Sequence, residues 1–183
     1  MASKRLYHLS PVRFKQFHQQ IQGGPEATDT GFHFGTRETA LSAGDMLFKQ
    51  GRIGPRDEVY LYEAIVDLGT PLEMKEWRGG SWTVDGIVNR LVDSEHPMFS
   101  EEELLAAFED EVCVDASEIG LSDAENLSDW YGQVEEHDLL RLWLAQHGYD
   151  SIAYTNIFEG GGTSYVILDP ARAEIVGVEA YRV

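Results

Sequence analysis

The chain has 183 residues, 43% hydrophobic and 11% aromatic, enough to bury a core as one domain and too apolar to stay disordered. Its 32 acidic and 14 basic side chains give a formal net charge of −18, a field that disfavours direct contact with nucleic-acid backbones. The single cysteine, Cys113, rules out an internal disulfide. No run approaches the roughly 18 apolar residues of a membrane helix, and no apolar stretch of signal length follows Met1, so the sequence predicts a cytoplasmic protein with no membrane partner.

In chain order, Arg5 to Leu9 predicts a short strand. Pro11 opens an expected helix whose apolar face is Phe14, Phe17, His18 and Ile21, ended by Gly23-Gly24-Pro25. Phe32 to Phe34 predicts a second strand. A helix follows from Arg37 towards Lys49, with Thr36 as its N-cap and Gly51 near its end. Val59 to Val66, rich in β-branched and aromatic residues, predicts a third strand.

From Pro71 to His147 the pattern becomes helical and acidic. Ser100 with Glu103 and Ser122 with Glu125 form capping boxes, and Leu104, Leu105 and Phe108 make an apolar stripe after the first. A last helix is predicted from about Ser128 to His147, with Leu139, Leu142, Trp143 and Leu144 inward and Gly148 as its cap. Between Asp93 and Asp138 the chain has sixteen Asp or Glu and no Lys or Arg. That tract reads either as a solvated face that aids solubility or as a docking surface for a basic partner. Strands return at Ser151–Thr155, Ser164–Asp169 and about Glu174–Arg182. Strands at both ends must pair across the helical middle, which predicts an α+β fold in one domain, 1–183, with an insertion at 71–147.

Three short motifs carry candidate chemistry. In Leu6-Tyr7-His8-Leu9-Ser10, His8 and Ser10 are two apart on a strand and share a face, where an imidazole and a hydroxyl can hold a ribose diol or an amide. The plain alternative is a histidine bonded to a backbone carbonyl. In Gly31-Phe32-His33-Phe34-Gly35-Thr36, the two Phe share one face and His33 points to the other; the plain alternative is a strand with buried Phe. In the run from Gly148 to Pro170, a loop between two strands carries Glu159 and Gly160-Gly161-Gly162, followed by Ser164-Tyr165-Val166. The plain alternative there is a glycine-rich hairpin with an exposed Glu. The six histidines show no zinc spacing, no calcium loop is present, and there is no phosphate-binding or dinucleotide-binding glycine motif.

In this order the three motifs resemble the ADP-ribosyltransferase-like domains of phage and bacterial polymorphic-toxin proteins. The resemblance covers about Arg5 to Val66 and Gly148 to the C-terminus, and not the acidic middle. It implies a split, twisted mixed sheet that binds NAD as substrate, and transfer of ADP-ribose to an acceptor in the manner of an effector or toxin. By the same resemblance, His8, Ser10, Phe34, Gly35, Thr36 and Tyr165 hold NAD, His33 or Phe34 walls the nicotinamide, and Glu159 and His33 carry the chemistry. Relatives commonly place the acid nearer the Ser-Tyr pair, where this chain has Thr163. The net charge favours a protein acceptor with a basic surface over a nucleic acid. The alternative from a different class is a catalytically silent acidic protein, an inhibitor or nucleic-acid mimic that docks on a basic partner.

Overall fold

The computed structural model describes residues 3–18, 30–49, 51, 53–55, 57–77, 87, 137–138, 140–157, 159 and 161–182. Within them lie seven strands and one complete helix: β1 Ser3–Ser10, β2 Phe32–Phe34, α1 Arg37–Lys49, β3 Glu58–Asp67, β4 Pro71–Trp77, β5 Ser151–Asn156, β6 Thr163–Ile167 and β7 Ala173–Arg182. Residues 137–138 and 140–146 are helical and are called α2. The architecture is α+β, as the pattern of terminal strands predicts. The expected helix starts at Ser100 and Ser122 and nearly all of the acidic tract lie outside the described residues.

The strands form two sheets rather than the expected one. The first has the order β1-β3-β7 and is antiparallel throughout; the second has the order β2-β6-β5-β4, with β4 parallel to β5. Both pair N-terminal strands with C-terminal ones, so neither half of the chain could close its hydrogen bonds alone. Among the described residues one β-bridge links the sheets: Tyr7 and Gly35 exchange backbone bonds of 2.9 and 3.0 Å. That bridge falls between the His8 motif and the His33 motif.

Alternation along the strands sorts the core into two layers. Leu6, Tyr62, Ala64 and Val66 of the first sheet meet Phe32, Phe34, Ala153, Tyr165 and Ile167 of the second. On the far side of the second sheet, Leu72, Met74, Ile152, Tyr154 and Val166 are covered by Leu140 and Leu144 of α2 and by Ile87. Trp143 packs against this layer, whereas Leu142, expected inward, is 50% exposed because it lies two residues from Leu140 and Leu144 and so faces away from them on the helix. Each leucine buried here removes apolar area worth about 2 kcal/mol from water.

Three further expectations change. Residues 11–18 do not form a helix. The Phe14 N–H donates to the Tyr62 hydroxyl at 2.6 Å, and that hydroxyl donates to the Val12 carbonyl at 3.1 Å, so a side chain takes the groups a helical turn would use. Phe14 stacks on Tyr62 at 4.0 Å and 5°, and the aromatic spacing serves the inter-sheet core instead. Pro71–Trp77, assigned by sequence to the helical insertion, is a strand inside the second sheet. The end of that insertion is likewise built into the core, because Leu140 and Leu144 are fully buried.

The α1 helix begins as expected. The Thr36 hydroxyl accepts the Thr39 N–H at 3.2 Å, and the Ala40 N–H donates to the Thr36 carbonyl at 3.0 Å. At the other end of α2, the Gly148 and Tyr149 N–H groups return to Ala145 and Leu144.

Candidate functional site

The eight residues expected at the site divide between the two faces of the second sheet. β2 pairs with β6 through His33 and Val166, and β5 pairs with β6 through Tyr154 and Ser164. Directly paired residues share a face, as do residues two apart on a strand. His33, Tyr154, Asn156 and Ser164 therefore stand on one face, and Phe34 and Tyr165 on the other.

On the first of these faces the loop from β5 to β6 folds back over the strand ends. Asn156 Nδ2 donates to Glu159 Oε2 at 2.6 Å and contacts Ser164 Oγ at 3.4 Å, and the Glu159 N–H donates to Asn156 Oδ1 at 3.2 Å. The His33 Nδ1 and the Tyr154 hydroxyl are 3.1 Å apart. If Nδ1 accepts from the phenol, the neutral ring carries its proton on Nε2. Burial pushes the Glu159 carboxyl above the usual carboxylate range, while the Asn156 hydrogen bond and the charge of His33 pull the other way. A partly buried carboxylate, an imidazole, a phenol and a hydroxyl thus converge.

Backbone close approach makes this convergence possible. Gly161 and Gly162 have φ of 79° and 98°, which side chains other than hydrogen rarely adopt, and they turn the loop so that the Gly161 carbonyl faces the Thr39 hydroxyl at 3.4 Å. Gly35 lies beneath: a Cβ there would come within 3.0 Å of Thr39 and 3.2 Å of Ser164 Oγ. Gly35 and Thr36, both expected at the site, are thereby next to the loop that carries Glu159.

The other expected residues belong to the layer between the sheets. His8 Nδ1 is 2.8 Å from the His33 carbonyl oxygen, the backbone partner of its plain reading, and five aromatic rings lie within 6.3 Å of its own. Ser10 is buried, and its Oγ accepts the Val12 N–H at 3.1 Å. Phe34 is 1% exposed, so of the two rings offered for the nicotinamide wall only His33 is open to solvent. Tyr165 accepts a bond from Lys4 Nζ at 2.6 Å across the sheet gap and faces away from Ser164. His8 and His33 are nonetheless coupled, since the His33 peptide carries a bond from one face to the other.

Asn156, Tyr154 and Ser164 were not named as site residues by the sequence. Their signal was positional: Tyr154 and Asn156 are two apart on a strand that leads into the Glu159 loop, and Ser164 opens the strand that leaves it.

A groove of about 1080 Å³ opens elsewhere, between residues 15–18, α2 and the 3₁₀ turn Pro170–Arg172. None of the eight expected residues lines it. Both of its arginines are paired: Arg172 with Asp67 at 3.0 Å and Asp150 at 2.5 Å, and Arg141 with Asp138 at 2.7 Å. Among the described residues no cluster of three or more His, Cys, Asp or Glu could hold a metal ion.

No family model, curated protein or solved structure matches this chain.

Proposed function

We propose that the chain is an NAD-dependent mono-ADP-ribosyltransferase that modifies a protein, with Glu159 as the residue on which the chemistry turns. The observation that carries this reading is the Glu159 carboxylate, held by Asn156 on a glycine-rich loop within the electrostatic reach of His33. Two sheets joined at one bridge beside both histidine motifs support it. So does the order of the three motifs along the chain.

In the proposed reaction the bond between ribose and nicotinamide breaks and neutral nicotinamide departs. The ribose acquires oxocarbenium character, and a nucleophile of the acceptor protein bonds to the anomeric carbon while its proton is released. An ionised Glu159 stabilises the developing positive charge, holds the ribose 2′-hydroxyl and can receive the acceptor's proton. His33, as the half-exposed ring, lies against the nicotinamide. For NAD to reach His8 and Ser10 as well, the ring cluster around His8 must loosen, with Phe14 and Phe17 moving from between the sheets.

The test is nicotinamide release and transfer of labelled ADP-ribose from NAD, with Glu159→Gln as the control. Loss of one preorganised electrostatic contact to the transition state predicts a fall of about 100-fold or more in rate with an unchanged circular dichroism spectrum. Full activity in the variant would remove Glu159 from the mechanism.

A second reading is favoured by one observation, the net charge of −18 and its concentration between Asp93 and Asp138. A silent protein that docks on a basic partner through that tract would bind with an affinity that falls steeply as salt rises.

A further inference from the structure

The geometry points to Asn156 as the positioning residue that aims the Glu159 carboxylate, through a donor from Nδ2 to Oε2 and an acceptor at Oδ1 for the Glu159 N–H. This deepens the ADP-ribosyltransferase reading and rests on it.

Asn156 is the last residue of β5 and is 4% exposed. Its side-chain amide has only one orientation that satisfies its neighbours. A carboxylate can only accept and a peptide N–H can only donate, so Nδ2 must face Glu159 Oε2 and Oδ1 must face the Glu159 N–H. The second Nδ2 hydrogen has Ser164 Oγ at 3.4 Å. The Asn156 backbone closes the far end of the same loop, donating to the Gly162 carbonyl and accepting from the Gly161 N–H, each at 2.9 Å. One residue thus fixes both ends of the loop and the direction of its carboxylate.

The chemistry also says why this position suits Asn. Aspartate would keep the Oδ1 acceptor and the loop, but set a second carboxylate against Glu159. Two carboxyls at that distance share one proton and titrate as a pair.

The test is Asn156→Asp, followed by ¹³C NMR titration of the Glu159 side-chain carboxyl and by the pH profile of nicotinamide release. The upper titration of the pair is expected to move up by about one pH unit or more relative to wild type. Below it, the introduced carboxyl is protonated and supplies the missing donor, so kcat stays near that of wild type. Above it, both groups are charged and repel, and kcat falls at least tenfold with KM for NAD unchanged. A second measurement needs no variant: in the wild-type protein, the side-chain NH₂ signals of Asn156 should shift with the same pH midpoint as the Glu159 carboxyl. The proposal is overturned if those midpoints differ, if the Glu159 titration is the same in both proteins, or if activity falls equally at every pH, as a purely structural role would give. The titrations require no turnover. A wild-type protein that releases no nicotinamide therefore sinks the proposed function, while the positioning of Glu159 is still decided by NMR.

Discussion

At the scale of single residues, the chain concentrates cost where the chemistry is placed. Glu159 is a carboxylate pushed above its ordinary range by burial, so its charged form is destabilised by the fold. The sign of the pH dependence follows. A carboxyl whose folded value exceeds its unfolded value binds protons more tightly when folded. Its contribution is then favourable at low pH and is lost as pH rises from the unfolded value of 4.5 through the folded one. Glu159→Gln removes this loss. We expect the variant to match wild type in melting temperature below about pH 4 and to exceed it at pH 7. Thermal melts at the two pH values check this. A variant less stable at pH 7 than at pH 4, relative to wild type, would mean that the Glu159 charge is compensated in the fold. His8 teaches the opposite lesson at this scale: a histidine in a suggestive motif has a carbonyl and five rings for company, and its chemistry is subordinate to packing in this arrangement.

At the scale of elements, local signals were most legible where the backbone itself satisfied them. Thr36 at the start of α1, and the β-branched run of β3, announce themselves because capping and pleated packing are local. The stretch after Pro11 misleads because Phe14 and Phe17 have helical spacing, yet their partners are Tyr62, Phe32 and Phe34, which no local pattern reveals. β4 was hidden for a similar reason. Leu72 and Met74 are buried and Glu73 is exposed, a clear alternation, but it follows a proline directly and heads the stretch whose sequence pattern predicts helices. The candidate site was legible in part. Glu159, His33, Gly35 and Thr36 were named from motifs, whereas Asn156, Tyr154 and Ser164 are linked to them only by strand register. The cap of α1 also touches the site, because Thr36 Oγ1 meets Thr39 Oγ1 at 3.0 Å and Thr39 reaches the Gly161 carbonyl. Thr36→Ala should therefore cost ~1 kcal/mol in stability by denaturant titration. It should also speed hydrogen exchange in the 161–162 loop. Unchanged exchange there would show that the loop is independent of the helix start.

At the scale of the whole molecule, two sheets joined by one bridge hold a deep aromatic layer between them and a polar cluster at the end of one. The bridge peptides at Tyr7 and Gly35 flank both histidine motifs, so relative movement of the sheets and the environment of His33 are linked through the same few bonds. No helix among the described residues is long and apolar enough to cross a membrane. The negative charge belongs mainly to the tract between Asp93 and Asp138, and on the proposed function it is the natural contact for a basic acceptor protein. The proposed function requires that this protein hold NAD beside His33. Calorimetric titration of NAD into wild type and His33→Ala measures that directly. Saturable binding by wild type, weakened about tenfold or more in the variant (~1.4 kcal/mol), is the predicted result. Absence of binding heat from wild type at millimolar NAD would contradict it.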